Sequence, residues 1–124
     1  MKWVCLLLFC FFVETIQAKN ICSVTINSSE EIELFKKELR GVPDTQFIEL
    51  VPPSSATYQS NWFTKVCQSG VQCDVLIISG HFGGTFFGQS GYRLESDTME
   101  SLSCSNTCDG IFKRPKEVYL FGCN

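Results

Sequence analysis

The chain holds a single histidine, His81, and a last cysteine, Cys123, lying 42 positions apart. A thiol becomes a nucleophile only as its thiolate, and a nearby imidazole produces that form by taking the proton. With one histidine available, any such pair in this chain must use His81. Each residue follows an apolar run and a glycine, in Val75-Leu76-Ile77-Ile78-Ser79-Gly80-His81 and Val118-Tyr119-Leu120-Phe121-Gly122-Cys123. Further glycines, Gly83 and Gly84, follow His81. They permit unusual backbone angles and close approach of a substrate's main chain.

Whether the two can meet depends on the elements that carry them. Asp74 to Ser79 contains four consecutive aliphatic residues. It is too short for a helix and apolar on both sides, as a central parallel strand is. Glu117 to Phe121 reads as a last strand. Upstream, Ile21 to Asn27 is rich in β-branched residues and predicts a strand. Ser28 and Glu31 form a capping box before Ile32, Leu34, Phe35 and Leu39 at helical spacing, with Gly41 past the end. Thr45 to Val51 is a second strand, stopped by Pro52-Pro53. Ser54 or Ser55 caps a helix running to about Gln68. Gly80 to Gly91 reads as a loop or small hairpin, and Ser96 begins a short helical turn.

This order predicts an α/β fold, an open parallel sheet of about four strands with helices on both faces. Loops at the carboxyl ends of such strands converge on one crevice. Neighbouring strands lie about 4.8 Å apart, so His81 and Cys123 face each other there if their strands are adjacent.

The two blocks resemble the signature blocks of the caspase-like cysteine peptidases, which include caspases, gingipains, separase and CHAT domains. In that superfamily one apolar strand leads to His-Gly and a second to Ala-Cys or Gly-Cys. The caspase histidine lies about 50 residues before its cysteine, a spacing close to the one here. The resemblance spans roughly residues 20–124. It implies the front portion of a three-layer caspase-like domain, ending just after the nucleophile. Its remainder would come from a longer chain or a completing partner. It further implies a hydrolase that cuts peptide bonds in peptide or protein substrates through an acyl-enzyme, with His81 as base and Cys123 as nucleophile. The oxyanion would be held by the Cys123 backbone N–H and one from the following loop. Phe82 stands where the family usually has glycine, so that loop donor is Phe82, Gly83 or Gly84.

Lys2, the apolar run Val4 to Val13 and Thr15-Ile16-Gln17-Ala18 read as a signal peptide over residues 1–18, with a domain over 19–124. The run is about half the roughly 20 residues a membrane span needs. The expectation is therefore a secreted, cell-surface or periplasmic protein with no stable span after cleavage. Net charge is −3, which offers no basic surface for nucleic acid.

Eight cysteines are present in all. Cys5 and Cys10 fall in the signal peptide, leaving Cys22, Cys67, Cys73, Cys104 and Cys108 as disulfide candidates beside Cys123. Pairings among Cys67, Cys73, Cys104 and Cys108 are preferred, with Cys22 undecided. Cys67-x5-Cys73 and Cys104-x3-Cys108 fit an exported disulfide protein better than a zinc site, so no metal or cofactor is expected. Glu95, Asp97, Glu100 and Asp109 form a solvated face, orient His81 or line a pocket for a basic side chain. The competing reading makes Cys123 half of a disulfide. The protein is then a non-catalytic, disulfide-stapled α/β interaction module, or an inactive remnant of a peptidase, binding a partner through Phe82 to Phe87.

Overall fold

The computed structural model describes residues 18–27, 30–52 and 60–123, with backbone alone at Glu31 and Cys123. The segment expected to be a signal peptide lies outside these residues up to position 17, as do Ser28 of the capping box and the Ser54 and Ser55 caps. The first strand, β1 (Lys19–Thr25), leads to α1 (Glu30–Leu39), β2 (Thr45–Glu49) and α2 (Trp62–Gln68). β3 (Val75–Phe82) then runs into a hairpin, β4 (Thr85–Phe87) and β5 (Leu94–Glu95). α3 (Ser96–Cys104), a 3₁₀ turn (Asn106–Cys108) and α4 (Asp109–Phe112) precede β6 (Glu117–Cys123).

The fold is α/β, but its sheet is not the expected open parallel sheet of about four strands. It has six strands and is mixed. Four of them run parallel, β1 pairing with β2 and with β3, and β3 with β6. The glycine-rich stretch after His81 contributes the other two, with β4 antiparallel to β3 and β5 antiparallel to β4. Gly84, at φ +81°, allows the tight reversal between β3 and β4. Gly88 lets the hairpin lie against the end of β1, because a Cβ there would sit 2.5 Å from the Asn27 Cβ.

β3 is the centre of the sheet, and Val75 through Gly80 are buried without interruption. Its side chains alternate between two cores, as strand geometry requires. Val75 and Ile77 join Ile21 and Ile32, with Phe35 and Leu39 of α1 packed against them. Leu76 and Ile78 join Trp62 and Phe63 of α2, Leu94 and Ile111. Helices therefore cover both sides of the sheet. In α1 the i, i+3, i+7 positions Ile32, Phe35 and Leu39 face inward, whereas Leu34 points out and is exposed. On the other side, Trp62 packs edge-on against Phe63 and Tyr92 and donates its indole N–H to the Arg93 carbonyl at 3.0 Å.

Two disulfides lock this core. Cys22 of β1 is bonded to Cys73, just before β3, and Cys67 of α2 to Cys108 of the 3₁₀ turn. Cys104, counted above as a disulfide candidate, is instead a free exposed thiol near the end of α3. Cys22, undecided from the sequence, takes Cys73, because the start of β3 lies beside β1 in the parallel ladder.

Candidate active site at the carboxyl ends of β3 and β6

The parallel ladder between β3 and β6 runs from Val75 opposite Glu117 to His81 opposite Cys123. The two residues singled out by type thus occupy matched positions on adjacent strands, where backbones lie about 4.8 Å apart. Both strands extend further than the sequence implied, so His81 and Phe82 belong to β3 itself. The hydrogen-bonded extension of β3 past Gly80 is supplied by β4, which takes over as partner where β1 ends.

His81 is half-buried. Its Nε2 lies 3.4 Å from Nδ2 of Asn27, and its ring centre 5.5 Å from that of Phe87. Asn27 is itself fixed from three sides. Its backbone N–H donates to the Ser79 carbonyl at 3.4 Å, and its carbonyl accepts the Ser79 hydroxyl at 3.2 Å. Its side-chain oxygen accepts the Gln89 backbone N–H at 3.3 Å. A backbone N–H can only donate, so the Asn27 oxygen must face Gln89 and its NH₂ must face the imidazole. In sequence terms Asn27 only ends a strand; no local signal marks it as a partner of His81, because the contact spans 54 positions.

The three loop residues named as oxyanion donors are placed differently from one another. Phe82 is the strand residue next to His81, its ring tilted against that of Phe86 with centres 4.7 Å apart and partly exposed. Gly83 and Gly84 form the turn between β3 and β4. The Gly83 N–H donates to the Thr85 carbonyl at 3.3 Å, and the Gly84 carbonyl accepts the Ser96 N–H and hydroxyl at 3.3 and 2.7 Å. Gly83 is therefore already occupied in closing the turn, whereas Phe82 adjoins the matched pair.

The acidic residues between the two blocks do not gather at the strand ends as a group. Glu95, Asp97 and Glu100 are exposed, and Asp109 is ion-paired with Lys113 at 2.9 Å. Among the described residues, no group of three or more His, Cys, Asp or Glu side chains is clustered to hold a metal, and no helix is long and apolar enough to cross a membrane.

No family model matches this chain, and no curated protein matches its sequence.

Beside the strand ends lies a groove of about 520 Å³, lined by Leu76, Ile78, Phe82, Phe86, Met99, Phe112, Val118, Leu120 and Gly122. It runs along the open side of β6, where Val118 and Leu120 are 54% and 62% exposed.

Proposed function

We propose that the chain carries the catalytic pair of an exported caspase-like cysteine peptidase, with His81 as general base and Cys123 as nucleophile. The observation that supports this most is the register of β3 and β6, which sets the only imidazole opposite the last cysteine at the carboxyl end of a parallel sheet. Functional groups collect at the carboxyl ends of parallel strands in α/β folds. The two disulfides support an oxidising compartment, hence export.

In the proposed reaction His81 takes the Cys123 thiol proton, and the thiolate attacks the scissile carbonyl carbon. The resulting oxyanion is held by the Cys123 backbone N–H and by one from the Phe82 region. Collapse breaks the C–N bond, His81 returns the proton to the departing amine, and a thioester remains. Water, deprotonated by His81, then releases the carboxylate product and regenerates the thiol.

A second reading draws support from the exposed rings of Phe82 and Phe87, at 39% and 42%. In it, the hairpin is a partner-binding surface and the disulfide-stapled domain has no turnover. The two readings separate when the protein in its natural full-length form is incubated with a proteome-derived peptide library and new N-termini are sequenced. The peptidase reading expects cleavages that disappear in both His81→Ala and Cys123→Ala. An absence of new N-termini, or cleavages that persist in both variants, excludes it.

A further inference from the structure

Asn27 lies in the bend that follows β1, half-exposed, with its side-chain nitrogen 3.4 Å from the His81 imidazole. In the sequence it opens Asn27-Ser28-Ser29, the chain's one Asn-x-Ser/Thr triplet with a residue other than proline at its centre. That triplet is the acceptor pattern for N-linked sugar on surface loops of exported proteins. We propose that Asn27 is an N-glycosylation site and that its sugar is seated beside His81, at the carboxyl ends of the parallel strands.

The inference rests on the export reading, which the two disulfides support, and uses none of the peptidase chemistry. Asn27 stands outside the β1–β3 ladder, whose last matched pair is Thr25 opposite Ser79. Its side chain is therefore held by loop contacts and not enclosed within the sheet. His81 lies 54 positions downstream. Because the chain emerges from its N-terminus, the Asn27 amide meets the export machinery before its partner has been made. The co-reactant is a lipid-diphosphate-linked oligosaccharide, delivered by a transferring enzyme of that machinery. Nδ2 attacks the anomeric carbon, so a C–N bond forms and the C–O bond to the diphosphate breaks. The lipid diphosphate leaves with the bonding pair, and the nitrogen gives one proton to a base of the transferring enzyme. An amide nitrogen carries two hydrogens, so replacing one leaves the other for His81. The side-chain oxygen keeps the Gln89 backbone N–H. A bulky, hydrated polymer rooted there narrows the approach to the strand ends.

The test takes the natural full-length protein, secreted from a host that performs N-glycosylation, and weighs it before and after treatment with peptide N-glycosidase. The mass should fall by one glycan, with the released side chain mapped to position 27. Ser29→Ala keeps Asn27 itself and should be secreted without sugar, whereas Ser29→Thr preserves the acceptor pattern and should carry it. An unmodified Asn27 in secreted protein overturns the proposal, as does sugar that persists in Ser29→Ala or is missing from Ser29→Thr. Placement is read by NMR, because a chain with one histidine gives one set of imidazole signals. The His81 ring signals should shift between the glycosylated protein and Ser29→Ala. Signals that coincide put the sugar away from His81 and overturn the placement. Neither readout depends on Cys123, so an inert Cys123 thiol sinks the peptidase reading and leaves the glycan assignment standing.

Discussion

Asp74 ties three strands together at the end of the sheet opposite the proposed site. Its Oδ2 accepts the Asn20 backbone N–H at 2.8 Å and its Oδ1 accepts the Arg114 guanidinium at 3.2 Å. Its own backbone N–H donates to the Asn20 carbonyl and its carbonyl accepts the Lys116 N–H. The Asn20 hydrogen bond, helped by the Arg114 and Lys116 charges, holds the carboxyl below the usual aspartate range. A folded value lowered relative to the unfolded one, near 3.9, adds stability that is complete above that pH. The gain is lost as the pH falls through the folded value. Asp74→Asn should therefore cost about 1 kcal/mol at pH 6, discounted for partial exposure. The deficit should be smaller at pH 3, below the unfolded value. Urea denaturation of both proteins at the two pH values checks this, and an equal deficit at both would show that the charge is not what stabilises.

Among the elements, β1 and the start of β3 are joined by a disulfide. Cys22 and Cys73 are fully buried and close a separation of 51 residues. Chain-entropy arguments assign such a loop about 4 kcal/mol, within the 2–5 kcal/mol that native bridges in small exported domains contribute. A Cys22→Ala, Cys73→Ala double variant should lose about that much in urea denaturation; a loss under about 1 kcal/mol would mean the packing of β1 on β3 suffices alone. That pairing was not legible in the sequence, since spacing says nothing about which strands become neighbours. The strands were more legible. Asp74 to Ser79 announced a central strand because a short aliphatic run has nowhere to go but between two layers, and Val75 to Gly80 are buried accordingly. The hairpin is less legible. Gly80 to Gly91 carries turn signals in plenty but too few alternating residues to fix β4 and β5, which are three and two residues long. α4 left no pattern at all over its four residues.

At the scale of the molecule, the sheet has two unlike sides around β3. Toward β1 and β2 it is covered by α1 and the disulfide-linked core. Toward β6 it is open: Val118, Tyr119 and Leu120 remain exposed on a strand whose composition is that of a buried one. From the sequence β6 is only the carrier of Cys123, with no sign of the groove beside it. A groove is made by residues from β3, β4, α3, α4 and β6 together, and linear spacing carries no trace of such a meeting. The position of Asn27 beside His81 escaped for the same reason. What the sequence did carry was the pair of apolar strands, and their register sets His81 opposite Cys123. The central claim is that His81 activates Cys123, and site-resolved alkylation reads this directly, with the free surface thiol Cys104 as an internal reference. Peptide mapping after brief iodoacetamide exposure at pH 6.5 should find Cys123 modified at least about tenfold faster than Cys104, as thiolate formation by a paired imidazole requires. In His81→Ala that advantage should vanish. Recovery of Cys123 in a disulfide, or a rate that His81→Ala leaves unchanged, would contradict the account.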